Sequence, residues 1–180
     1  MSYPDFFADL ATSGRILGLG LGSRPEDWAA ALGGTFFEGS HYEGHLSREF
    51  GMLEVNFEGG PGEWSCTFLN VRVEQLSWPP ERVPGVAMAP GALRDVYGPF
   101  PQRIGFDEIA DRLAADGVPV WKLNQISAAE PDLFWVADGG AMFHVLTPAT
   151  AGDGLRPGDI HSVSVMSGRA IRVIEHIRYR

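Results

Sequence analysis

A chain of 180 residues, 44% hydrophobic and 11% aromatic, is long enough to bury one substantial core, which excludes a mainly disordered protein. Fourteen basic against 23 acidic residues leave a formal net charge of −9. A surface of that sign repels phosphate, so nucleic acid and anionic membranes are excluded as general partners.

The first residues carry acids at Asp5 and Asp9, no basic lead and no long apolar run, so they read as neither a signal peptide nor a membrane span. Ser2 can cap a short helix reaching about Thr12, with Pro4 tolerated in its first turn and Phe6, Phe7, Leu10 and Ala11 as its apolar stripe. Gly14 stops it. Aliphatic residues then alternate with glycines from Ile16 to Gly22, which suits a tight, close-packed lead-in better than a helix. Ser23-Arg-Pro-Glu26 has the spacing of a capping box opening a helix to Leu32, with Trp28 and Leu32 buried and Gly33 as its stop.

A polar stretch, Glu38–Arg48, reads as a loop. In the next segment Leu53, Val55 and Phe57 alternate with Glu54, Asn56 and Glu58, the pattern of a half-buried strand. After a turn at Gly59-Gly-Pro-Gly62 the chain returns as a second strand over Trp64–Val73, with Thr67, Leu69, Val71 and Val73 on one face. A Pro-rich connector from Trp78 through Pro101 follows.

The second half repeats the plan. Phe106–Ala115 is a helix with Ile109 and Leu113 inward and Gly117 as its stop; Leu133–Val136 and Ala141–Leu146 are strands around Asp138-Gly-Gly140; Ile160–Met166 is another. Shifting the chain by 81 residues places Trp28 and Leu32 on Ile109 and Leu113, and Leu53 and Val55 on Phe134 and Val136. The last segment sets Ile171, Ile174 and Ile177 three apart, as on a helix. The expected fold is therefore α+β: two helix-then-antiparallel-strand units in tandem, about 15–78 and 100–166, in one domain spanning 1–180, with the helices on one face of an antiparallel sheet.

Motifs for chemistry are broken. His41 and His45 lie four apart with Glu43 between, but the helical zinc-hydrolase signature needs its Glu directly after the first His, and Gly44 disfavours a helix. Gly18, Gly20 and Gly22 lack the third glycine and the preceding strand of a dinucleotide fingerprint, and Lys122, the single lysine, follows no phosphate-loop glycine run. One cysteine, Cys66, excludes a disulfide framework and multi-cysteine metal sites and fits a reducing, cytoplasmic setting. It sits mid-strand, where a small buried thiol is the ordinary reading. His144 and His161 lie in strands and can meet in space, while Glu54, Glu58, Glu63 and Asp138 offer carboxylates for acid–base work. Neither set forms a recognisable catalytic constellation, and no catalytic residue, cofactor or metal is expected.

Binding is the better-supported category. Residues 1–168 carry a net charge of −12, while Arg169–Arg180 carry +3, so the acidic body is the expected working surface. Aromatic anchors framed by carboxylates suit a basic protein partner. The candidate contact set is the hairpin tip Glu58, Gly59, Gly60, Pro61, Gly62, Glu63 and Trp64, together with Trp78 and Asp138. Trp121 and Trp135 are the tryptophans of the second half.

The run from Leu19 through Ser23-Arg-Pro-Glu26 to Leu32-Gly33, followed by Phe50-Gly-Met-Leu-Glu54, resembles actinobacterial proteins reading Gly-Ser-x-x-Glu, then Leu-Gly, then Tyr-Gly-Leu-Leu-Glu. Many of those are immunity proteins encoded beside polymorphic toxins. The resemblance spans about residues 15–75, and Phe50 stands where the pattern often has Tyr. It implies an inhibitor that binds a cognate toxin and occludes its active site, with NAD-hydrolysing toxins among the targets. The plan is also similar to that of secreted β-lactamase inhibitor proteins, which rely on export and disulfides that this chain lacks. The alternative expectation is a small-molecule-binding or hydrolytic domain built on the histidines and carboxylates.

Overall fold

A computed structural model describes residues 1–39, 42–60, 62–82, 88–123, 127, 129–152 and 154–166. The expected C-terminal helix lies outside them. The first helix, α1, runs Tyr3–Ser13 with Phe6, Phe7, Leu10 and Ala11 buried. The Ser2 amide and hydroxyl both donate to the Asp5 carboxylate, at 2.7 and 3.0 Å, which ties the chain entering the helix to its first turn. Strands β1 (Arg15–Ile16) and β2 (Leu19–Gly20) make a miniature hairpin.

Helix α2 spans Pro25–Leu32. Its N-cap is Arg24, whose amide donates to Asp27 at 3.2 Å, one residue beyond the expected Ser23–Glu26 box. Ser23 is engaged elsewhere: its carbonyl accepts the Cys66 amide at 2.9 Å and its hydroxyl accepts the Gly20 amide at 3.1 Å. Pro25, which has no amide to satisfy, takes the first helical position. Trp28 and Leu32 are buried as expected.

Strands β3 (Phe37–Gly39) and β4 (His45–Phe50) occupy the stretch expected to be a polar loop. Their polarity hides them. In β4 only Ser47 and Phe50 are buried, so no period-2 signal reaches the sequence, and the strand is held by its ladder to β5 (Leu53–Glu58). Strand β6 (Ser65–Arg72) follows. Its ladder to β5 shifts between Asn56 and Phe57, which pair with Phe68 and Cys66. Thr67 is the extra residue of this bulge, so Thr67 leaves the expected core face and Cys66 enters the core.

A 3-10 turn, Val73–Ser77, takes Val73 out of the expected strand and leads into the Pro-rich connector, which holds a second such turn, Pro80–Arg82, and a helix that composition conceals, α3 (Gly91–Tyr97), which buries Leu93 and Tyr97. Helix α4 spans Phe106–Ala115 and buries Phe106, Ile109 and Leu113. Strands β7 (Trp121–Lys122), β8 (Asp132–Val136), β9 (Ala141–Val145) and β10 (Ile160–Met166) complete the sheet.

The protein is α+β. One eight-stranded sheet has the order β3-β4-β5-β6-β10-β9-β8-β7, every described pair antiparallel. Two four-stranded meanders, each preceded by a helix, meet where β6 pairs with β10. The helices cover one face. The core between the layers joins Phe6, Phe7, Trp28, Ile109 and Leu113 of the helices to Val55, Leu69, Val71, Phe143 and Val163 of the sheet.

The offset of 81 residues holds for the helices, since α2 and α4 start at Pro25 and Phe106. It fails for the strands. It sets β5 on β8, whereas the sheet order makes β9 the counterpart of β5 and β8 that of β4. The connection between β7 and β8 is longer than that between β3 and β4, and this throws the later strands out of step.

The end of α1 is locked to the sheet. Gly14 adopts φ +65°, and the Gly139 amide in the β8–β9 turn donates to the Ala11 carbonyl at 3.0 Å. A Cβ on Gly139 would lie 2.4 Å from that carbonyl oxygen and 2.6 Å from the Gly14 nitrogen, so only glycine fits this approach.

Candidate functional site

Antiparallel pairing decides which loops share an end of the sheet. Glu58 pairs with His45 and with Ser65, Phe68 with Met166, and Val165 with Ala141. The turns β3–β4, β5–β6 and β8–β9 therefore lie at one end. Three strand spacings, on the order of 14 Å, separate the β5–β6 tip from the β8–β9 turn that carries Asp138.

At this end Glu43, Glu58, Gly59, Gly62, Glu63 and Asp138 are exposed, and Gly60 is half-buried. Pro61 lies outside the described residues. Among the described residues no ion pair engages the carboxylates of Glu43, Glu58, Glu63 or Asp138. The tip is tethered through its backbone instead. The Gly59 amide donates to the Gly44 carbonyl at 3.1 Å, and the Arg24 guanidinium donates to the Gly62 carbonyl at 2.8 Å. Trp64 is half-buried and packs against the main core, so its ring supports the tip rather than standing free of it.

Trp78 lies elsewhere. It lines a cavity of about 280 Å³ with Glu74, Arg82, Leu146, Leu155 and His161, formed where the chain leaves β6 and where it connects β9 to β10. The Arg82 guanidinium stacks 3.9 Å from the Trp78 ring centroid. One carboxylate oxygen of Glu74, Oε2, is buried with no hydrogen-bond partner among the described residues. Burial raises the Glu74 pKa, and Glu54 adds to the rise, while His161 and Arg72 oppose it. His144 and His161 do come within electrostatic reach: burial, and then His161, lower the His144 pKa.

The remaining candidates separate. Cys66 is 2% exposed, and burial pushes its thiol up to about 12, so it carries no appreciable thiolate at neutral pH. His45 stacks on Tyr42 with ring centroids 4.8 Å apart, and His41 lies outside the described residues. Among the described residues no group of three or more His, Cys, Asp or Glu side chains is placed to hold a metal. Trp28 is fully buried, Trp135 is 8% exposed and Trp121 is 51% exposed. No sequence pattern links Glu74 to Arg82 and His161, because the cavity joins segments far apart in the chain.

No protein-family model, curated protein or solved structure matches this chain. Among the described residues no helix is long and apolar enough to cross a membrane.

Proposed function

We propose that this protein is an immunity-type inhibitor that binds a cognate protein toxin and occludes its active site, with the acidic end of the sheet as the contact surface. The observation that carries the reading is the gathering of four exposed carboxylates, Glu43, Glu58, Glu63 and Asp138, on three turns at one sheet end, none ion-paired among the described residues. The hydrogen bonds from the Gly59 amide to Gly44 and from Arg24 to the Gly62 carbonyl hold the described part of the tip, which lowers the ordering cost of binding. Their common charge steers a basic cleft toward them and sets the register of docking. An NAD-hydrolysing toxin is the finer form of this proposal, supported by the resemblance over residues 15–75 alone.

The test is co-purification with the product of the adjacent gene, followed by titration calorimetry. Glu58→Lys with Glu63→Lys is expected to weaken the complex by about 1–2 kcal/mol or more, mainly through slower association at low salt. An affinity and salt dependence unmoved by the double reversal would place the interface elsewhere.

A further inference from the structure

We infer that the cavity between Trp78 and the β9–β10 connection is a binding site for a small aliphatic zwitterion of the α-amino-acid class. This goes beyond toxin binding and uses the opposite end of the sheet. The cavity presents two opposite charges that do not neutralise one another. Glu74 lines it, and among the described residues no ion pair engages its carboxylate. Arg82, exposed and stacked on Trp78, forms no ion pair among those residues.

An ammonium supplies three donors to the Glu74 end, and the guanidinium fork of Arg82 suits a carboxylate. A lone anion is opposed by Glu74 and a lone cation by Arg82. Arg82 already covers the Trp78 ring, so that face is closed to an aromatic ligand, while Leu146 and Leu155 give an apolar wall for an aliphatic body. A volume of about 280 Å³ lies just under the usual range for drug-sized ligands, which suits a small one.

The experiment titrates the full chain with L-leucine, following the His161 imidazole signals by NMR, beside two analogues that each lack one charge, 4-methylpentanoate and 3-methylbutylamine. Leucine is expected to bind saturably, and each analogue about tenfold more weakly. Glu74→Gln and Arg82→Gln, each checked for native circular dichroism, are expected to cut leucine affinity by about tenfold or more. Arg82 is exposed, so its variant keeps the test decisive if Glu74→Gln fails to fold. Absence of saturable binding, analogues that bind as well as leucine, or affinity that survives both substitutions would overturn the proposal.

Discussion

Gly139→Ala tests how the acidic end is held. The added Cβ would meet the Ala11 carbonyl oxygen at 2.4 Å and the Gly14 nitrogen at 2.6 Å, both backbone atoms that cannot rotate away. Relief requires the β8–β9 turn to lift from α1, which also breaks the 3.0 Å hydrogen bond from the Gly139 amide to Ala11. Overpacking costs roughly 1–3 kcal/mol and the lost hydrogen bond about 1 kcal/mol. For a chain of this length the sum lowers Tm by roughly 5–15 °C. Gly60→Ala is the control, since a Cβ there meets nothing within 4 Å, and its Tm is expected to stay within about 1–2 °C of the parent. Differential scanning calorimetry reads both. A Gly139→Ala protein as stable as Gly60→Ala would refute the interlock between α1 and the turn.

Further outcomes concern titratable groups. Cys66 is expected to resist a thiol-disulfide reagent at about pH 8 in the native protein and to react fully once unfolded in guanidinium, because its thiol is buried and pushed up to about 12; rapid native labelling would contradict that burial. Glu74 holds its proton more tightly when folded than its ordinary value of 4.5, so its contribution to stability is full below that value and is lost as pH rises through the raised folded value. Glu74→Gln is therefore expected to raise Tm relative to the parent at about pH 8, with the gap closing as pH falls toward 4.5. A gap that widens in acid would refute the assigned burial. Asp5 has the opposite sign: hydrogen bonds from Ser2 and Arg112 lower its pKa, so Asp5→Asn is expected to lose stability at about pH 7 and to match the parent in acid, as read by thermal melts across that range.

Amphipathic elements are legible in the sequence. Helices α1 and α4 and strands β5, β9 and β10 stand where their apolar patterns put them, because each turns an apolar face to the main core. Strand β4 is not legible, since polar contacts hold it: Arg48 donates to Glu38 at 2.9 Å and to the Pro25 carbonyl at 2.7 Å, and lies 4.5 Å from the Phe36 ring centroid. Thr67 falls on the wrong face of the expected strand because a bulge changes the phase of a strand without changing its composition. In the candidate site, the carboxylates of the tip can be read directly as turn residues. That Asp138 shares their end of the sheet while Trp78 does not follows only from the strand order.

The two ends of the sheet are built differently, and this makes their roles separable. Short turns at the acidic end leave little loop to rearrange, which suits contact with a protein surface. The opposite end carries the long β9–β10 connection, and buried polar contacts hold it in shape. Asp159, 4% exposed, accepts from the Arg103 guanidinium at 2.7 and 2.9 Å and from the Arg156 amide at 2.7 Å. The Leu146 amide donates to the Asp159 carbonyl at 2.9 Å, and the Gly158 amide to the Leu146 carbonyl at 2.8 Å. These bonds fix both ends of the segment that forms the apolar wall of the cavity. Charge reversal at Glu58 and Glu63 touches none of them, so it is expected to change partner affinity without changing leucine binding, and Arg82→Gln the reverse. Coupling between the two substitutions in a double-mutant cycle would show that the ends of the sheet communicate.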